Sequence, residues 1–377
     1  MLAVQRGSSR RRDVAEAVAE LAGAIRDPSA ALALVFASPE YDSDRVAALT
    51  AEALAPTPVW GCTTAGEIGA DGFSRGGMVG LTLASPRLRV AGGLADGLRR
   101  SPFSSGSHAT AAALDGLGLD RAALHPRRQV ALTLIDGRSG QEESFIAGAA
   151  AGAPSVRFVG GSASDVIGGP PVARVFAGGR AHADAGLVLM FDTDLPFAVI
   201  KSEHMVPTDE RVVVTRIQPG ARVVHELDGK PAAQVYARLI GAGTDIPLGL
   251  SARHPFAYYL GGQPYVRSVI SAEGESLRFA CAVERGVVLR LMRPGELIET
   301  TRRDLEAATR EVEPVAALIA FNCMGRFLES EATGQTAAVG EVLTRYPVVG
   351  FNTLGEQFNA LHVNHTLTAL AFGVGHG

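Results

Sequence analysis

The decapeptide PVWGCTTAGE, from Pro58 to Glu67, returns near the other end of the chain as PVVGFNTLGE, from Pro347 to Glu356, with the pattern P-V-x-G-x-x-T-x-G-E intact. A short apolar run precedes each copy, ALALVFAS from Ala31 and VAALIAFNC from Val315, and a stretch of helical character lies between. The repeat therefore reads strand, helix, strand, turn. A looser third copy lies in the middle: VALTLIDG from Val130, a helical ESFIAGAAAGA, and VRFVGGSASD from Val156. Another apolar strand follows each turn, as GMVGLTLAS from Gly77, AGLVLMFD from Ala185 and HTLTALAFG from His365. The expectation is an α/β fold whose repeated strand-helix-strand units form mixed sheets.

Other segments differ in texture. Arginines at Arg6 and Arg10 to Arg12 read as a leader, and the spacing predicts a helix over Val14 to Ile25 that Asp27-Pro28 ends. Ser101 to His108 reads as a loop. From Phe197 to about Arg293 short β-branched runs alternate with turn signals such as Gln218-Pro219-Gly220 and Glu273-Gly274, around one helix from Pro231 to Ile240. This is a strand-rich insert in the C-terminal half. At 377 residues the chain is long enough for two domains, each with its own core.

Composition removes several function classes. A net charge of −4 gives no general attraction to nucleic acid or anionic membrane. Three scattered cysteines without C-x-x-C spacing argue against a disulfide framework, a zinc cage or c-type haem attachment. No apolar run reaches the roughly 18 residues of a membrane span, and no signal core follows the arginines, so a cytoplasmic protein is expected. Neither a G-x-x-x-x-G-K-[ST] nor a helix-opening G-x-G-x-x-G is present. The repeated turns, with Gly61, Gly66, Gly160, Gly161, Gly350 and Gly355 at strand ends, are the first place to look for a ligand.

Three motifs, GCTTAGEIGADGF (Gly61 to Phe73), FNCMGR (Phe321 to Arg326) and GFNTLGEQ (Gly350 to Gln357), resemble the FIST family of bacterial sensor proteins. The resemblance spans nearly the whole chain and implies an N-terminal FIST domain over 30–195 and a C-terminal one over 196–373. SEHMVP around His204, ARHPFAYYLGGQPYVRSV around His254 and GEQFNALHVNHTLTALAFG around His362 further resemble the nitric-oxide-sensing subgroup. That likeness implies a bound haem b, response to nitric oxide, and regulation of a separate histidine kinase or cyclic-di-GMP enzyme. The chain departs from the subgroup at Asn364-His365-Thr366, where Asn-Gln-Thr is more usual.

A haem sensor needs one neutral imidazole on iron, an apolar cavity and cationic or hydroxyl groups for the propionates. Among nine histidines, His108, His125, His182 and His376 lie in polar sequence, and His225 reads as a strand histidine with a local partner. His204 and His254 rank first as iron ligands because their surrounding strings carry the subgroup resemblance. Phe256, Tyr258 and Tyr259 stand ready to wall a planar ligand beside His254. His362 and His365 follow, on a strand that would place His362, Asn364, Thr366 and Thr368 on one face and His365 on the apolar face. Arg326 suits carboxylate recognition, of a propionate or an amino acid, or an internal ion pair with Glu356 or Glu67. Cys323 ends an apolar strand where nucleophiles occur, but a buried small residue is the commoner role, and no enzyme is expected. The alternative is a haem-free receptor for a small metabolite such as an amino acid, with Arg326 and the glycine turns as its pocket. A homo-oligomer is compatible with either reading.

Overall fold

The computed structural model describes residues 1–166, 172–218, 220, 222–243 and 246–375; His376 and Pro219 lie outside them. The first unit runs β1 (Ala3–Ser9), α1 (Val14–Ile25), β2 (Leu32–Ala37), α2 (Ser43–Ala53), β3 (Val59–Thr63), a hairpin of β4 (Glu67–Gly69) and β5 (Gly72–Ser74), and β6 (Met78–Ala84). The second repeats this order as β7 (Leu88–Asp96), α3 (Pro102–Leu117), β8 (Gln129–Asp136), α4 (Glu142–Gly152), β9 (Arg157–Ala163), the hairpin β10 (Val175–Ala177) and β11 (Arg180–His182), and β12 (Ala185–Thr193).

The third unit opens with β13 (Phe197–Glu203) and is then interrupted. Its insert comprises β14 (Val206–Gln218), β15 (Val223–Leu227), β16 (Lys230–Pro231), α5 (Ala232–Leu239), α6 (Leu248–Ser251), β17 (Phe256–Leu260), β18 (Gln263–Arg267), β19 (Val269–Glu273), β20 (Ser276–Phe279) and β21 (Val288–Arg293). The unit resumes with α7 (Leu297–Thr309), β22 (Val315–Cys323), α8 (Met324–Ala332), α9 (Thr336–Thr344), β23 (Val348–Thr353), the hairpin β24 (Glu356–Phe358) and β25 (Leu361–Val363), and β26 (Thr366–Gly373).

Each unit builds four strands of a sheet and borrows the last two. The sheet orders are β1-β6-β2-β3-β10-β11, β7-β12-β8-β9-β24-β25 and β13-β26-β22-β23-β4-β5. The first hairpin thus completes the third sheet, the second hairpin the first sheet, and the third hairpin the second. In each sheet one pair is parallel, β2 with β3, β8 with β9 and β22 with β23, and the other pairings are antiparallel. The insert forms its own sheet, β18-β17-β21-β14-β15-β20-β19, with β16 on β15.

Strand alternation explains the packing. Leu32, Leu34 and Phe36 of β2 face a shared core with Leu132 and Leu134 of β8 and Ile319 and Phe321 of β22. Ala33, Val35 and Ala37 face the other way, onto α1 and α2. Both faces being covered, these strands read as continuous apolar runs. Phe36, Phe321 and Phe351 meet at the centre, with ring centroids 4.8 to 6.5 Å apart.

Several expectations need correction. The arginine leader contains an edge strand, β1, antiparallel to β6; its sequence AVQRGSS, half exposed, has no apolar alternation to announce it. Ser101 to His108 is mostly the first two turns of α3, which Pro102 opens from a position where its missing N–H costs nothing. The run Phe197 to Glu203 pairs with β26, so it belongs to the third unit, and the insert begins at Val206. Leu361 to Ala369 is not one strand: His365, at φ 55°, breaks it into β25 and β26, which enter different sheets. Asp184 and Gly76, also at positive φ, stand at the matching corners of the other units.

Gly61, Gly160 and Gly350 occupy one equivalent position. A Cβ at each would lie 1.8 to 2.0 Å from the carbonyl oxygen of the parallel neighbour, Val35, Thr133 or Ala320. Gly61→Ala or Gly350→Ala should therefore push backbone from backbone and cost roughly 3 kcal/mol or more in urea denaturation. Alanine at Gly23, where a Cβ meets nothing within 4 Å, should be neutral or stabilising by comparison.

Candidate functional site

The parallel strands of the three sheets deliver their carboxyl ends and turns to one region of the molecule. Backbone bonds interlock the turns: Ser164 N–H donates to Thr63 O, Asn352 N–H to Gly66 O, and Ser162 N–H to Gly355 O. Glu67 and Glu356 brace two of these turns in the same way. Glu67 accepts the Thr64 hydroxyl at 2.6 Å and the Gly77 N–H at 3.2 Å. Glu356 accepts the Thr353 hydroxyl, the Thr366 hydroxyl at 2.7 Å and the Thr366 N–H at 3.3 Å. Burial pushes Glu67 up to about 7 and Glu356 up to about 8, so their equivalence is structural.

Beside these turns the insert covers a cleft of about 220 Å³. Arg138 and Asp165, from the second unit, form a two-pronged ion pair at 2.7 and 2.8 Å on its wall. Cys323 and the first turn of α8 form its floor with His365 and Asn364. Leu248, Val269 and Ile270 of the insert close it from above. The lining is mostly apolar with a few convergent polar groups, which is the general character of small-ligand sites.

The structure separates the sequence-predicted residues. His204 is buried between two partners: Arg326 Nη1 donates to its Nδ1 at 3.1 Å, and its Nε2–H donates to Glu329 at 2.9 Å. Burial lowers the pKa of His204, keeping it neutral between a cation and an anion. Arg326 also donates from Nε to Asn322 Oδ1 at 3.1 Å and from Nη2 to Thr301 Oγ1 at 2.7 Å. It forms no hydrogen bond with Glu67 or Glu356, and at 1% exposure it offers no fork to a ligand.

His365 lines the cleft but is also engaged at both nitrogens. Its Nε2–H donates to Ala252 O at 2.5 Å, and its Nδ1 accepts from the Ser268 hydroxyl at 2.8 Å. Burial takes it down to about 4. His362 is buried behind the cleft, with Nδ1 3.2 Å from the Gln357 amide, and burial takes it down to about 3. His254 is half-buried; its Nδ1–H donates to Leu250 O at 3.0 Å, which leaves Nε2 with its lone pair. His254 does not line the open groove of about 440 Å³ between Tyr258, Tyr259, Arg211 and Arg290, so the aromatic wall and the free imidazole are apart. Among the other histidines, His108 and His125 are exposed, His182 meets Asp96 at 3.2 Å and His225 meets Ser276 at 2.8 Å.

Cys323 is 4% exposed, and burial raises its thiol well above the ordinary value, the opposite of nucleophile activation. Glu329 is the functional neighbour the sequence reading missed. Its signal was available: Arg326 and Glu329 stand three apart on one helix, hence on one face. Ser268, Arg138 and Asp165 gave no comparable local signal.

The chain belongs to the FIST family: the FIST N domain matches residues 31–230 and the FIST C domain residues 232–359. Domains of this family are signal-transduction sensors that bind small ligands, not catalysts. No curated protein matches the chain. Among solved structures it is similar to a cyanuric acid hydrolase from A. caulinodans, at 13% identity over 51% of this chain and 70% of that one, with a TM-score of 0.27. It is also similar to PurLQS from Thermotoga maritima, at 10% identity over 99% of this chain and 72% of that one, with a TM-score of 0.19. Likenesses at that level carry no functional weight. Among the described residues no helix is long and apolar enough to cross a membrane.

Two measurements test the site's electrostatics. Arg326→Met strands Glu329 and His204 without their buried cation, and should cost roughly 3–5 kcal/mol in urea denaturation. For Glu356, the folded value of about 8 lies above the ordinary 4.5, so the folded state keeps a proton that the unfolded state has lost between those values. Its contribution to stability is complete below about 4.5 and declines as pH rises toward 8. Glu356→Gln should make the fall in stability across that window shallower, read from urea melts at its two ends.

Proposed function

We propose that this FIST protein is a haem-free sensor whose ligand is a small amphipathic metabolite, an amino acid being the simplest case, bound in the cleft between the insert and the first turn of α8. The observation that carries this reading is the cleft itself: about 220 Å³, largely apolar, walled by three separate parts of the chain. That volume is below the roughly 300–1,000 Å³ of sites for drug-sized ligands. The half-exposed Arg138 on the cleft wall and the backbone N–H groups opening α8 supply the polar recognition, in place of the fully buried Arg326.

Among the described residues, the candidate histidines are poorly placed to hold haem iron. His204 and His365 have both nitrogens committed, and His362 lies behind the cleft wall. His254 has a lone pair to offer, but it lines neither the cleft nor the groove walled by Tyr258 and Tyr259. These points favour the metabolite reading over haem and nitric oxide.

Output follows from the insert's two faces. It walls the cleft with Leu248, Val269 and Ile270 and also exposes Val213, Tyr259, Leu260 and Val288. A ligand that closes the insert onto α8 would shift this apolar surface, and a separate signalling protein such as a histidine kinase or cyclic-di-GMP enzyme would read the change. The partner must bind one state more tightly, with about 1.4 kcal/mol giving a tenfold shift.

Thermal-shift screening of the purified chain against amino acids and related metabolites should find a stabilising ligand. Ile270→Trp, at the cleft mouth, should abolish that stabilisation without lowering the ligand-free melting temperature. Supplementing the growing cells with haem should give a colourless protein. A Soret band that moves with nitric oxide and disappears in His254→Ala would overturn the proposal.

A further inference from the structure

Behind the cleft, three distant parts of the chain meet in a largely buried cluster that the proposed sensing does not use. Glu143 comes from α4, Cys281 from the insert and His362 from β25, and one ligating atom of each lies within 4.8 Å of the others. His362 Nε2 is buried without a hydrogen-bond partner; the nearest carboxylate oxygen, Glu142 Oε1, is 3.9 Å away. A buried, unpaired imidazole nitrogen in a native fold calls for an explanation, and a bound ion is one.

The surroundings hold the ring in place. A Cβ on Gly355 would lie 2.4 Å from His362 Cε1 and 2.6 Å from Nε2, so glycine there makes room for the imidazole. The Gln357 amide, 3.2 Å from Nδ1, is itself fixed by Ser162 Oγ at 3.0 Å. With that amide turned so that its oxygen accepts Nδ1–H, the Nε2 lone pair faces the cluster; amide orientation and imidazole tautomer exchange together. Arg222 Nη2 binds the Oε2 atoms of both Glu142 and Glu143 at 2.6 Å, which leaves Glu142 Oε1 toward His362. The Cys281 thiol donates to Asn364 Oδ1 at 2.9 Å.

We propose that His362 Nε2, Cys281 Sγ and the Glu143 carboxylate form a binding site for a divalent transition metal of the zinc class, with Glu142 Oε1 beside it at 3.9 Å from His362 Nε2. Thiolate, imidazole and carboxylate in a largely buried set select zinc or cobalt over magnesium or calcium. Bonds of roughly 2.0–2.3 Å put tetrahedral ligand atoms about 3.3–3.8 Å apart, so the side chains close by on the order of 1 Å around the ion. Coordination sends the thiol proton to solvent. One thiolate and two carboxylates then balance the ion and Arg222, three charges of each sign. Arg267 lies alongside as a further positive charge, donating to the carbonyl oxygens of Val266 and Ala282 and to the Tyr258 hydroxyl. The ion would tie α4, the insert and the third hairpin together.

Cobalt(II) titrated into the chelator-stripped full chain tests this. One equivalent should give visible d–d absorption and a near-ultraviolet thiolate-to-cobalt charge-transfer band, both displaced by zinc. Cys281→Ser should lose the charge-transfer band and Cys62→Ser should keep it. Gln357→Ala, which frees the ring, should weaken cobalt binding roughly 10–100-fold. No charge-transfer band in the parent protein, or a band that survives Cys281→Ser, overturns the proposal. Should the serine variant fail to fold by circular dichroism, His362→Gln carries the test, and unchanged cobalt affinity there overturns it equally.

Discussion

No unit of this protein can finish its own sheet. The edge of β3 is covered by β10, that of β9 by β24 and that of β23 by β4, so each hairpin satisfies backbone groups belonging to another unit. An exposed strand edge is a standing invitation to mispairing; here the exchange runs around a closed cycle and leaves none of these edges open. The same cycle forces the three sheets to share one core, where Phe36, Phe321 and Phe351 pack. It also interlocks the turns at the carboxyl ends of the parallel strands, and so assembles the cleft from pieces far apart in sequence.

One short chain of buried charge braces that scaffold. Arg326, neutral His204 and Glu329 form it, with Thr301 and Asn322 each accepting a further N–H of the guanidinium. Removing one member of such a chain leaves the others desolvated and unpaired, the costly case for buried ions. His204 thus ties β13's exit to α8, the helix whose first turn floors the cleft. The insert joins the scaffold through Ser268 to His365 and Arg222 to Glu142 and Glu143, contacts to both neighbouring units.

Much of this was legible in the sequence. The decapeptide repeat located Gly61 and Gly350 on equivalent parallel strands, and apolar runs located β2, β8, β12, β22 and β26, because a strand buried on both faces writes an unbroken hydrophobic segment. Apolar residues at helical spacing made α1 readable from Val14 to Ile25. The edge strand β1 escaped because half-exposed edges need no apolar pattern. The strand drawn through His365 failed for a different reason: nothing local distinguishes a corner residue at positive φ from a strand residue when it is a histidine and not a glycine.

The sequence by itself determined the family, the repeat and the α/β class, since each is carried by local pattern: strand periodicity, turn glycines and motif. Only the tertiary structure decided what the marked residues do. His204, His254, His362 and His365 look alike in sequence, yet one bridges Arg326 and Glu329, one keeps a free nitrogen near the surface, one faces Cys281 and Glu143, and one lines the cleft. The exchange of hairpins decided it, because a side chain's partners are set by which unit its neighbours come from. That information lies in pairings between residues far apart along the chain.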